Sequence, residues 1–288
     1  MDMTYLKDMP IAILGAGAVG KTMAADCALA GKEVRLWDQP RFANTNCTNI
    51  EKTGITLAGA QFSYFGYQRK GTVKIALATD DMAKAVKGAG IIIVAAVAVA
   101  HETIFRELIP LLEDGQVIHI LPDNCGTFIF RKLMREMGCT KKVIVGAWYT
   151  APYGIRVVRR GGVVTNECKD EDRITTIRGC ALPDTDTDAF MASAWYIPAF
   201  GAIMDADGEV TISKKGEEFH HGFVRGNTVL DINLSNVNPV IHVPGAVLGA
   251  AVMQNFDTVL GQDKKNYSLY GFALCPAIAE VQAKFWEE

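Results

Sequence analysis

The sequence predicts an α/β fold, in which a doubly wound parallel sheet of the Rossmann type is followed by a smaller, mainly helical domain. Three observations carry this. Apolar runs alternate with helix-patterned segments from residue 11 to about 150, the order expected of β-α-β units and a sheet covered on both faces. The first apolar run ends in Gly15, Gly17 and Gly20, spaced G-x-G-x-x-G, and an acid, Asp38, closes the next run. From about Leu230 the turn signals give way to segments of helical character at 246–256 and 276–288.

The elements follow in order. "IAILGAG" (11–17) is a short strand ending in glycines, "VGKTMAADCALAG" (19–31) an alanine-rich helix closing on Gly31, and "EVRLWD" (33–38) a second strand. Further strands are expected at 73–79, 91–97, 116–121 and 142–148, with helices at 81–89, 101–114 and 127–138 between them. The run "IIIVAAVAVA" (91–100) is ten residues long, against the roughly 20 a membrane-spanning helix needs, and reads as a strand buried on both faces together with its continuation. After residue 150 the pattern changes. "GIRVVRRGGVVTNEC" (154–168) reads as a β-hairpin with Gly161-Gly162 at its turn, "ITTIRGCALP" (174–183) as a last strand, and the polar stretch 204–222 as a loop excursion. A boundary near residue 225 divides a dinucleotide-binding domain, 1–225, from a helical substrate domain, 226–288.

Composition narrows the function. The chain has 288 residues, 49% hydrophobic and 21% charged, as a globular protein does. A net charge of −3 gives no broad positive field for nucleic acid, although one or two local cations would suffice for a small anionic substrate. The seven cysteines (27, 47, 125, 139, 168, 180 and 275) contain no C-x-x-C pair, so no metal site is expected. Their odd number, without a signal peptide, points to reduced thiols in a cytoplasmic protein with no membrane partner.

The glycine loop is the first candidate site. Gly15 permits the tight turn, Gly17 admits a pyrophosphate close to the backbone, and Gly20 lets the helix pack on the strand, with Ala16, Ala18 and Val19 filling the loop. The phosphates would then meet the free N–H groups and the dipole of the helix N-terminus. Asp38 can accept both ribose hydroxyl hydrogens and repels a 2′-phosphate, which favours NAD over NADP. Arg41 reads either as a cation for such a phosphate, making NADP possible, or as a solvated loop residue. Val97 and Ala98, beyond the carboxyl end of the 91–97 strand, would line the nicotinamide side. His101 either faces the ligand or caps a helix. At the same rim Asn124 is a substrate contact or a turn residue, and Thr127 a substrate contact or an N-cap.

The second candidate is "LSNVNPVIHVPG" (234–245). Pro239 suits the first position of a helix and Asn238 its N-cap. His242 lies four residues beyond Asn238, so both can project from one side of a turn. Hydride transfer to a C–N or C–O centre needs a proton partner, and an imidazole titrating near neutrality supplies one.

This segment resembles the hallmark of the opine dehydrogenases, the octopine and nopaline dehydrogenase group, in which N-x-N-P-x-x-H follows a dinucleotide-binding domain and opens a helical one. The resemblance extends to the glycine loop, the histidine at 101 and the helix after "YSLYGFALCPAIAEV". It implies an NAD(P)-dependent oxidoreductase that condenses an amino acid with a 2-oxo acid such as pyruvate and reduces the imine. His242 would carry the proton, Asn238 would help hold the substrate, and the protein would be a homodimer. Two departures accompany it. Trp286 stands where the family has an aspartate that pairs with the histidine. The chain also stops at Glu288, so the helical domain is expected to be truncated or completed by a partner. His220 and His221 read as a metal or catalytic pair or as a surface loop. Arg156, Arg159 and Arg225 read as cations for substrate carboxylates or as solvated side chains. The rival readings are a ketopantoate reductase-like or hydroxyacid dehydrogenase, which would rely on a lysine in the helical domain, where Lys264 and Lys265 sit in a polar turn, and a dinucleotide-binding sensor with little catalysis.

Overall fold

The computed structural model describes residues 2–57, 69–160, 163–173, 177–200, 203–204, 210–211, 223–236, 247, 280 and 284. The chain divides into two compact units, Met1–Asn233 and Leu234–Glu288. In the second, the backbone at Val247, Glu280 and Lys284 is helical. Asn238, His242 and Trp286 lie outside the described residues, as do most of the expected helices 246–256 and 276–288.

The first unit opens with β1 (Ile11–Leu14), α1 (Ala18–Leu29) and β2 (Val34–Trp37), the β-α-β unit read from the sequence. Gly31 ends the helix in the left-handed region, at φ +86°. There follow α2 (Pro40–Asn46), with its proline in the first turn, α3 (Ile50–Thr53), β3 (Ile55–Leu57), β4 (Gly71–Val73), β5 (Leu77–Thr79) and α4 (Met82–Val86). Asp81 caps α4, its carboxylate accepting the Lys84 N–H. Next come β6 (Ile91–Val94), α5 (His101–Leu108), β7 (Val117–Ile120), α6 (Gly126–Glu136), β8 (Ile144–Trp148), β9 (Tyr153–Arg160), β10 (Val163–Arg173), β11 (Ile177–Ala181) and α7 (Thr187–Ala194). Short strands β12 (Ile203–Met204), β13 (Val210–Thr211) and β14 (Phe223–Arg225) precede α8 (Val229–Leu234).

Eight strands form the main sheet, in the order β14-β11-β8-β7-β6-β1-β2-β5. The six from β5 to β8 are parallel; β11 runs antiparallel to β8, and β14 pairs parallel with β11. Alternate residues of one strand serve opposite faces. Ile11 and Ile13, with Ile91 and Ile93, join the core under α1 and α7, whereas Ala12 and Leu14, with Ile92 and Val94, join the core under α4, α5 and α6. This is why the isoleucine run lacks polar alternation: neither face meets water.

Three expectations are corrected. The run 73–79 is two strands, because the chain changes sheets within it: β4 pairs antiparallel with β3, and β5 pairs parallel with β2. The 91–97 strand stops at Val94, beyond which the chain turns into a 3-10 turn at Ala98–Ala100. The strand at 177–181 is not the last, since β14 adds a parallel edge beyond it.

β9 and β10 do form the expected antiparallel hairpin. They belong to a second, four-stranded sheet, β4-β3-β10-β9, which the sequence did not announce. It packs against α1, so that helix lies between two sheets. That explains its composition. Residues Gly20 to Cys27 are all buried, and Ala24 and Ala25 let the layers approach. Asp26 and Arg69 form an ion pair at 2.8 Å in this layer, and Arg69 Nη1 also donates to the Pro198 carbonyl at 3.3 Å.

A polar chain fixes the other end of the sheet. Trp148 Nε1, which can only donate, gives its hydrogen to His119 Nδ1 at 3.0 Å. The remaining ring hydrogen is therefore on Nε2, 3.0 Å from Ser193 Oγ, and the hydroxyl in turn donates to the Phe190 carbonyl. Burial holds this imidazole neutral, its pKa pushed down to about 3 from 6.5. Above pH 6.5 the ring adds no pH dependence. As the pH falls below that, the unfolded chain takes up a proton the folded one refuses, so stability declines towards pH 3. Between pH 8 and 5 this amounts to about 2 kcal/mol at about 1.4 kcal/mol per unit of pKa difference. Urea titrations at both pH values should show that loss in the wild type and a correspondingly smaller one in His119→Gln.

Candidate dinucleotide and substrate site

The crevice beyond the carboxyl ends of β1 and β6 is the topological switch point of this sheet, where open α/β folds bind ligands. The glycine loop lies there, and each glycine is required for a different reason. Gly15 sits at φ +110°, and a Cβ on it would come within 2.5 Å of the Ala95 carbonyl oxygen. A Cβ on Gly20 would lie 1.7 Å from the Gly15 carbonyl oxygen. A Cβ on Gly17 would meet nothing within 4 Å. Gly17 is the exposed N-cap of α1, so open space faces the first turn and its N–H groups. A pyrophosphate needs that cradle, and the residues present fit one.

Residues 15–22 also satisfy G-x-x-x-x-G-K-T, the spacing of a mononucleotide phosphate loop. The fold decides against that use. The helix begins at Ala18, and Lys21 and Thr22 are buried within it, the Thr22 hydroxyl donating to the Ala18 carbonyl.

Asp38 follows β2, buried. Its Oδ1 accepts the Gln39 N–H at 2.8 Å, and its Oδ2 accepts Asn46 Nδ2 at 2.6 Å. The carboxylate is thus held in one rotamer, with lone pairs left over for further donors. Arg41 lies in the first turn of α2 rather than in a loop. It is exposed, with Nε on Gln39 Oε1 at 2.9 Å and its guanidinium 4.5 Å from the centre of the Phe42 ring. Gln39 and Asn46 carry no local signal in the sequence, because their roles depend on how α2 folds back towards the strand end.

Val97 and Ala98 leave the end of β6 into solvent, and Val97 and Val99 are 70% and 92% exposed, apolar surface that a flat ligand could cover. His101 does not cap α5, and its side chain is buried rather than exposed at the rim. Ala100 is the N-cap, and the His101 ring is fully buried against Phe105 with Nε2 3.1 Å from the Ala96 carbonyl. A carbonyl only accepts, so the hydrogen is on Nε2 and Nδ1 has no partner among the described residues. Desolvation lowers this pKa too, and the Ala96 bond partly offsets it. Gly126 makes room for the ring, since a Cβ there would be 2.6 Å from His101 Nδ1.

Thr127 is likewise no N-cap and no surface contact. It is buried in the first turn of α6, where both its N–H and its hydroxyl are given to Asp123 Oδ1. Asp123 does the capping from three residues before the helix. Its burial raises the carboxyl pKa, and the bonds from Thr127 and Asn233 pull it back. Asn124 is a turn residue at φ +44°, followed by exposed Cys125 at φ +64°. Two successive non-glycine residues in the left-handed region cost on the order of 1–3 kcal/mol each. Asp123 and Asn233 escaped the sequence reading; the strand-end position of Asp123 was the available signal. Arg225 pairs with Asp188 on the surface.

The comparisons with known proteins agree with this geometry. Residues 225–288 match the family model for the NAD/NADP octopine/nopaline dehydrogenase alpha-helical domain, and residues 11–124 match that for ketopantoate reductase PanE/ApbA. Over 241 residues the chain is 27% identical to an opine dehydrogenase of Arthrobacter sp. (strain 1C), covering 83% of this chain and 57% of that protein. Octopine dehydrogenase, solved in complex with NADH and agmatine, superposes with a TM-score of 0.62 at 17% identity, over 88% of this chain and 56% of that one. Yersinopine dehydrogenase with NADP+ bound gives 0.62 at 14% identity, over 96% and 61%. The chain therefore spans less than two thirds of the length of these relatives. The likeness to both solved structures is one of fold, a Rossmann-like sheet domain followed by a helical one. Together with the helical-domain match and the curated relative, it bears out the resemblance read from residues 234–245: the chain is similar to the opine dehydrogenases.

Proposed function

We propose that the protein is an NAD(P)-dependent oxidoreductase of the opine dehydrogenase type, acting on a CH–NH bond and condensing an amino acid with a 2-oxo acid such as pyruvate. The observation that carries this is the conjunction in one chain of a pyrophosphate cradle at Gly17 with a helical-domain match over residues 225–288, the region containing Asn238 and His242. The ketopantoate reductase match falls wholly within the sheet-bearing half, which many dehydrogenases share.

In this reading Gly15, Gly17 and Gly20 shape the loop, with Ala16, Ala18 and Val19 about it, and Asp38 accepts ribose hydroxyls in the rotamer fixed by Asn46. Arg41 stands ready for a 2′-phosphate, and Val97 and Ala98 border the nicotinamide. The bound dinucleotide supplies the hydride. His242 moves the proton at the reacting centre and polarises the oxo group, and Asn238 and Asn124 help hold the substrate. His101 and Thr127 act from within, fixing the backbone at Ala96 and Asp123.

Loss of NADH absorbance should require both pyruvate and an amino acid, screened singly. His242→Asn should lower kcat by about 10²–10⁴-fold, the usual worth of a general acid–base, with NADH binding by fluorescence unchanged. Turnover on an oxo acid alone would instead indicate a hydroxyacid dehydrogenase or ketopantoate-type reductase. Binding without turnover would indicate a dinucleotide sensor.

A further inference from the structure

We infer that Asn233 is a positioning residue, which holds the Asn124–Cys125 turn in its left-handed conformation at the mouth of the dinucleotide crevice. Its effect on catalysis rests on the function proposed above. The turn joins β7 to α6 at the carboxyl edge of the sheet, where ligands of such folds lie. Left to itself it would relax, because Asn124 and Cys125 both carry a Cβ at positive φ. The side chain of Asn233, near the end of α8, spans the turn. Nδ2 donates to Asp123 Oδ2 at 2.7 Å, and Oδ1 accepts the Cys125 N–H. A second hydrogen on Nδ2 goes to the Val229 carbonyl at 2.8 Å, one helical turn back, so the amide cannot rotate without losing all three bonds.

Asp123 is itself immobile, buried and bound by Thr127 on its other oxygen. The clamp therefore ties the turn to α8 on one side and to the first turn of α6 on the other. Gly126 comes next, and it packs on His101, which holds the Ala96 carbonyl beside Val97. One continuous set of contacts thus links α8 to both loops that border the nicotinamide side. The amide is irreplaceable in kind. Aspartate would set a second carboxylate against Asp123, and leucine would leave a buried acceptor and the Cys125 N–H unmet.

Two measurements test this. In the wild type the Cys125 amide should exchange hydrogen slowly despite its exposed side chain, and in Asn233→Ala at least about tenfold faster. Fast exchange in the wild type overturns the clamp, whatever the protein catalyses. In the NADH assay Asn233→Ala should lower kcat/KM for the oxo acid at least about tenfold, the scale expected of a misplaced contact, while the NADH dissociation constant stays within about twofold. Adding Cys125→Gly, which removes the Cβ from the left-handed position, should restore a large part of that loss. No restoration, or an equal loss of NADH binding, overturns the positioning role. If Asn233→Ala melts too low to assay, Asn233→Ser, a polar side chain one bond too short for either Asp123 or Cys125, takes its place in the same comparison. A wild type that turns over no amine and oxo-acid pair defeats the functional reading, while exchange at Cys125 still decides the clamp.

Discussion

Gly17→Ala is expected to fold with the wild-type melting temperature and to bind NADH at least about tenfold more weakly, whereas Gly20→Ala is expected to lose fold and binding together. The two substitutions add the same methyl group three residues apart. At Gly17 it enters space in which no protein atom lies within 4 Å, and the backbone there, at φ −72° and ψ −165°, suits any L residue. The fold is indifferent to it, but a pyrophosphate approaching the helix N-terminus is not, since the methyl displaces it from the N–H groups that bind it. At Gly20 the methyl would lie 1.7 Å from the Gly15 carbonyl oxygen and 2.9 Å from its carbon. Both are backbone atoms, with no side chain to swing aside. Relief requires α1 to move off β1, in the middle of two packed layers, at a cost of about 3 kcal/mol or more. Thermal melts followed by circular dichroism and NADH fluorescence titrations separate the outcomes. A Gly17→Ala protein that binds NADH as well as the wild type would remove the crevice from consideration as a pyrophosphate site.

Breaking the Asp26–Arg69 pair should produce a large loss of stability from one polar substitution. The side chains are 2% and 6% exposed, with the charged atoms 2.8 Å apart between α1 and the segment before β4. Asp26→Ala leaves the Arg69 guanidinium in the interior without its carboxylate, and removing one member of a buried pair typically costs about 3–5 kcal/mol. Replacing both, as Asp26→Leu with Arg69→Met, should recover most of that loss, because neither charge then remains to be desolvated. In urea unfolding the single variant should lower the midpoint at unchanged slope. A single variant within about 1 kcal/mol of the wild type would mean that water reaches the pair.

Much of the fold was legible because its determinants are local. The glycine spacing, the acid after the second apolar run and the isoleucine run each constrain residues within a few positions of one another. The second sheet was not, since β3 has three residues and β4 shares one apolar run with β5, so periodicity cannot separate them. His101 and Thr127 stood at the right rim in the sequence, but their burial was decided by Gly126 and Asp123 packing against them.

By itself, then, the sequence determined the glycine loop: the freedom of Gly15 to take a tight turn and the absence of a Cβ at Gly17 and Gly20 are properties of single residues, legible without neighbours. Only the tertiary structure decided which polar groups share a proton or a charge. Asn233 meets Asp123 across 110 residues of chain and Arg69 meets Asp26 across 43. Such pairings arise when packing removes water from both partners at once, an event that no local pattern encodes.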